Sequence, residues 1–288
     1  MKKRIGLLFM IGCIFLTTGC IKRDTLEDID IYTTIYPIEY ITERLYGSHS
    51  NVYSIYPDGV DVQNYTLTDK QIKDYSKAKM IIFNGLSNEK DYVITMYQHN
   101  KDIKIIDTTL SMEYTNSYEE LWLDPLNFLM MTQNIRTGFR QYINNHYLKN
   151  EIDENYEELK IEISSLDAKI KLMVENASDK TIVVSSDLFK FLEKYNLNVI
   201  SLEENDNLTD KTKAEVASLI ANQKISYIYL KQGEEVNNTI SELIKDTDIE
   251  LIYLHTLSNL SEEERSTKKD YISIMNENIE LLKQEVYN

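Results

Sequence analysis

Cysteine is nearly absent from this 288-residue chain: there are two, Cys13 and Cys20. Cys13 sits inside an N-terminal apolar run, so a chain cleaved after that run keeps one cysteine and no internal disulfide. Its stability has to come from an apolar core, which a chain of this length can build. Glycine (8) and proline (3) are also scarce, which excludes collagen-like and proline-rich architectures and leaves no glycine-rich phosphate loop. Only 4 histidines are present, and none falls in Thr109–Tyr118. Basic residues (31) are outnumbered by acidic ones (47), giving a net charge of −16. Losing Lys2, Lys3 and Arg4 with the leader takes that to −19. A surface this acidic argues against nucleic acid and anionic lipid headgroups. It suits a cation ligand, or simply a solvated acidic surface. No nucleophile elbow surrounds Ser185-Ser186-Asp187, because the flanking glycines are missing. Asp58 and Asp61 read as solvated turn carboxylates. No catalytic constellation is visible, so an enzyme is not the expected class.

What is present begins with Lys2-Lys3-Arg4, an apolar run from Ile5 to Leu16, and LTTGC ending at Cys20. The run is shorter than the roughly 20 residues of a spanning helix. The order of charge, apolar run, small residues and cysteine looks like a bacterial lipoprotein signal. Residues 1–19 would be removed and Cys20 lipidated, anchoring the chain on the outer face of the cytoplasmic membrane. Residues 20–28 read as a polar tether. Strand-like runs then alternate with helical patterns over residues 29–146 and again over 178–288. Between them, residues 147–177 predict one long helix, with its clearest pattern over 151–177, where Tyr156, Leu159, Ile163, Leu166, Ile170 and Met173 recur at three- and four-residue spacing. The expected fold is α/β: two lobes, each a small parallel sheet with flanking helices, bridged by a rigid backbone helix. Segment 188–195 is expected to be helical. Ligands of such sheets bind beyond the carboxyl ends of the strands, which singles out the loops 58–69, 119–125, 185–189 and 254–260.

Five segments carry a family resemblance: IYTTIYPIEYITERLYG (31–47), PDGVDVQNYTLTDKQI (57–72), AKMIIFNGLSNE (78–89), WLDP (122–125) and DYISIMNENIELL (270–282). In this order they resemble the zinc- and manganese-binding solute receptors of metal-ion ABC transporters. The resemblance implies the two-lobed fold, one divalent cation (zinc or manganese), a membrane permease as partner, and a monomeric, lipid-anchored receptor. It also places the family's ligand positions, three histidines and an Asp or Glu, on residues of other types. The first falls on Gln63, the second on Glu120, the third on Ser186 with Asp187 beside it, and the fourth near His255. A neutral amide, carboxylates, a hydroxyl and one imidazole form a poor zinc set; oxygen donors suit harder cations. The competing reading of each residue is hydrogen-bonded cleft lining, and the competing function is a relative without metal acting as a surface adhesin or adaptor. Trp122 and Leu123 are expected under the site, with Asp124 as an N-cap and Pro125 in the first helical turn.

Overall fold

The computed structural model describes Asp24 and residues 26–288; the leader and Cys20 lie outside the described residues. The first sheet contains β1 (Ile29–Thr33), β2 (Ser50–Ser54), β3 (Met80–Phe83) and β4 (Lys104–Asp107) in the order β2-β1-β3-β4. The second contains β5 (Thr181–Val184), β6 (Asn198–Ser201), β7 (Tyr227–Lys231) and β8 (Glu250–Leu254) in the order β6-β5-β7-β8. All pairings are parallel. Central strands of such sheets are covered on both faces and therefore read as unbroken apolar runs. Met80-Ile81-Ile82-Phe83 is buried at every position, and Thr181-Ile182-Val183-Val184 at all but the first. In each sheet the chain turns one way after its first strand and the other way after its second. The crevice at that reversal, beyond the carboxyl ends of the strands, is where a ligand fits.

The first lobe carries α1 (Tyr36–Tyr46), α2 (Asp69–Tyr75), α3 (Glu89–His99), α4 (Glu120–Leu123) and α5 (Pro125–Tyr142). The linking helix α6 runs from His146 to Glu175. It starts one residue before the expected 147, where Asn145 caps it, its side chain accepting the Tyr147 N–H at 2.9 Å. Its inward stripe, including Ile152, Tyr156, Leu159, Ile163, Leu166, Ile170 and Met173, is buried as the spacing predicts. The second lobe adds α7 (Asp210–Ala221), α8 (Asn238–Leu243), α9 (Glu262–Ser266) and α10 (Tyr271–Val286). The expected helix at 188–195 is a 3₁₀ helix, Asp187–Tyr195, ending on Asn196 in the left-handed region (φ 68°). Its buried Phe189, Leu192 and Tyr195 recur every third residue, which a three-residue turn stacks on one face. The tether is partly fastened. Asp24 accepts the N–H groups of Asn144 and Asn145, both at 2.8 Å, and Leu26 is buried in the core.

One apolar cluster runs through both lobes and along α6; a smaller one lies on the other face of the second sheet. The lobes are also tied by polar contacts. Arg265 of α9 grips Glu39 of α1 with two hydrogen bonds, at 2.7 and 2.9 Å, and Asp58 at 2.6 Å. Asn259 donates to the carbonyls of Pro57 and Val60, and Lys194 pairs with Asp124.

Candidate functional site

A cleft of about 510 Å³ opens between loop 59–63 of the first lobe and loops 231–234 and 255–261 of the second, with Glu119 at its wall. Gln63 lines it and is exposed; its backbone N–H donates to Asp61 Oδ1 at 2.9 Å, so Asp61 serves the turn. His255 follows β8 and lines the opposite side. Its Nδ1 accepts the Leu257 N–H at 2.8 Å, and its Nε2 lies 3.2 Å from Glu264 Oε1. The tautomer that satisfies both contacts is neutral with the proton on Nε2. Burial holds this imidazole below its usual range against the opposing pull of Glu264. Leu257 makes its bond from a left-handed backbone (φ 62°), a conformation a buried leucine adopts only when its surroundings enforce it.

Glu120 is placed elsewhere. Its carboxylate is buried and accepts the N–H groups of Thr115 (3.2 Å), Asn116 (2.9 Å) and Ser117 (3.2 Å). It pins the turn before α4 and is not part of the cleft wall. The acid that faces the cleft is its neighbour Glu119, the N-cap residue of α4, which accepts from Ser258 Oγ at 3.1 Å. Burial pushes the Glu119 carboxyl above its usual range, opposed first by the charge of Lys231 and then by the Ser258 and Ser117 hydroxyls. Consecutive residues at a helix start point in different directions, so the acidic pair divides between a structural and a cleft role.

Ser186 and Asp187 also lie outside the cleft. Ser186 Oγ donates to Glu203 at 2.9 Å, and the Asp187 carboxylate pairs with Lys190 at 2.8 Å beside a separate hollow of about 280 Å³. The preceding residue, Ser185, instead donates to Glu234 Oε2 at 2.5 Å, and Glu234 lines the cleft. Of the five residues singled out in the sequence, Gln63 and His255 therefore share the cleft, while Glu120, Ser186 and Asp187 do not. Glu119, Glu234 and Lys231 were missed. The first was adjacent to a chosen residue; no motif marked the other two. Among the described residues, no three His, Cys, Asp or Glu side chains are grouped closely enough to hold a metal.

Comparison with known proteins bears on the fold and the family. The chain is 24% identical over 311 residues to the zinc-binding lipoprotein AdcA of Streptococcus pneumoniae (strain ATCC BAA-255 / R6), covering 98% of this chain but 61% of that relative. It is 23% identical over 308 residues to the metal ABC transporter substrate-binding lipoprotein ScbA of Streptococcus cristatus, covering 97% of each. The crystal structure of the Zn(II)-bound ZnuA-like domain of Streptococcus pneumoniae AdcA superposes with a TM-score of 0.74 at 21% identity, covering 91% of this chain and 100% of that one. That likeness is one of fold. The model of the ZnuA family, whose members are uptake-complex components rather than enzymes, matches residues 31–285, and the chain belongs to this family: zinc-uptake complex component A, periplasmic.

Proposed function

We propose that this chain is the extracytoplasmic solute-binding component of an ABC-type uptake system. It hands a divalent cation from the interlobe cleft to a membrane permease, works as a monomer, and holds the cation more weakly than a three-histidine site would. The observation that carries this reading is the buried Glu119 carboxylate, which faces the crevice beyond the strand ends while two other acids, Glu234 and Glu264, share the wall. Such oxygen donors favour manganese over the imidazole-rich coordination preferred by zinc. His255 contributes to zinc binding only if Nε2 gives up its proton and its contact with Glu264. Calorimetry with zinc and manganese on protein lacking residues 1–19 tests the reading. Weak one-to-one binding is expected, with no metal surviving dialysis against a chelator, and Glu119→Gln should weaken it by at least about ten-fold. Zinc retained through that dialysis would show that the site is not weakened; no response to either ion would remove the cation.

The proposed anchor at Cys20 has a separate test. Radiolabelled palmitate should appear on the wild-type protein, and Cys20→Ser should abolish the label and release the chain or leave it uncleaved. An unlabelled wild type would show that the chain is not lipid-anchored. The family match and the lipoprotein relatives support this placement; among the described residues no helix is long and apolar enough to cross a membrane.

A further inference from the structure

The cleft contains its own cation. Lys231 is the last residue of β7 and lines the same cavity as Asp61, Glu119, Glu234, His255 and Glu264. Its backbone is fixed twice. It is the register partner of Leu254, directly before His255, and its N–H donates to Glu234 Oε2 at 2.9 Å. Its side chain is only part-exposed, yet among the described residues its ammonium makes neither a hydrogen bond nor an ion pair. Some other lysines do meet carboxylates: Lys190 meets Asp187, Lys171 meets Asp167, and Lys194 meets Asp124. Lys231 is nevertheless the strongest charge acting on Glu119.

We propose that Lys231 is a specificity-determining residue, a tethered ammonium that occupies the electrostatic position of the solute cation and sets the cleft's affinity for divalent ions. The inference rests on the reading of the cleft as a cation site. An ammonium on a flexible stem is a compact, mobile point charge. In the acidic cleft it already satisfies part of the field that would draw in a divalent ion, and it repels such an ion directly. A divalent cation must therefore displace the lysine from the neighbourhood of Glu119 before binding. This keeps the site weak even though three carboxylates besides Asp61 line it. It also allows release without a large movement of the lobes, since the lysine returns as the metal leaves.

The test is titration of the mature protein with manganese and zinc, comparing wild type, Lys231→Met and Lys231→Arg. Methionine keeps much of the stem length and removes the charge; arginine keeps the charge. Melting curves establish that each variant is folded. Lys231→Met should bind at least ten-fold more tightly than wild type, Lys231→Arg should stay as weak as wild type, and adding Glu119→Gln to Lys231→Met should remove the gain. Unchanged or weaker binding in Lys231→Met, with wild type still binding, overturns the role given to Lys231 and leaves the cation reading intact. If neither wild type nor Lys231→Met binds either ion, both the role of Lys231 and the cation reading fall.

Discussion

Trp122→Ala is expected to lower the unfolding free energy by about 3–5 kcal/mol, the range for deleting a large aromatic from a packed core. The indole is fully buried, and Tyr118 packs on it at a ring separation of 5.7 Å. Its Nε1–H donates across the lobe boundary to the Thr256 carbonyl at 2.8 Å, while its own carbonyl accepts the Tyr271 hydroxyl. Alanine would thus leave a cavity and remove the donor to a part-buried carbonyl in the loop that presents His255 and Ser258. Trp122→Phe fills most of the space but still orphans that carbonyl, for an expected loss of roughly 1–2 kcal/mol. Urea denaturation followed by far-ultraviolet circular dichroism measures both variants; fluorescence would not, because Trp122 is the only tryptophan. A loss below about 1 kcal/mol for alanine would mean that the lobes close over the gap and that the indole is not what fastens them.

A second large effect is expected at Glu89, the first residue of α3. Its side chain is buried, and burial pushes its carboxyl from 4.5 up to about 7, although the Asn84 N–H and the Ser87 hydroxyl pull it down. The group therefore binds its proton more tightly in the folded chain than in the unfolded one. Below the unfolded value both states are protonated and burial carries no charge penalty. As pH rises through the folded value this stability is lost, by about 3 kcal/mol at most when fully ionised. Glu89→Gln keeps the shape and removes the charge. It should raise stability by roughly 2–3 kcal/mol at pH 8 and change it little near pH 5. Denaturation at the two pH values decides this. An equal effect at both would mean that the glutamate is not buried as an acid.

Some of the architecture is written in local chemistry. Asp124-Pro125 marks the start of α5, where Asp124 accepts the Leu126 N–H at 2.9 Å. Ser261 and Glu264 form the capping box that opens α9. The unbroken runs 80–83 and 181–184 are strands at those same bounds. The cleft is less legible, for a physical reason. Its side chains lie at strand ends and helix starts, where moving one residue reverses the direction a side chain takes. Glu119 and Glu120 differ in this way, as do Ser185 and Ser186. Lys231 is harder still. Nothing around it in sequence distinguishes it from other surface lysines, and its relation to Glu119 exists only after the two lobes have met.

The apolar core shared by the lobes also bears on when this chain can fold. Tyr271, Ile274, Met275, Ile279, Leu282 and Val286 of α10 belong to the same cluster as Ile31, Ile38 and Ile41 of the first lobe. Tyr271 stacks on Phe128, with ring centres 3.7 Å apart. The N-terminal lobe therefore lacks part of its packing until the last helix has been made. For the exported, lipid-anchored chain proposed above, that delay is useful: a nascent chain still missing α10 lacks part of its core while it is translocated, and the globule closes only after its final segment has reached the far side.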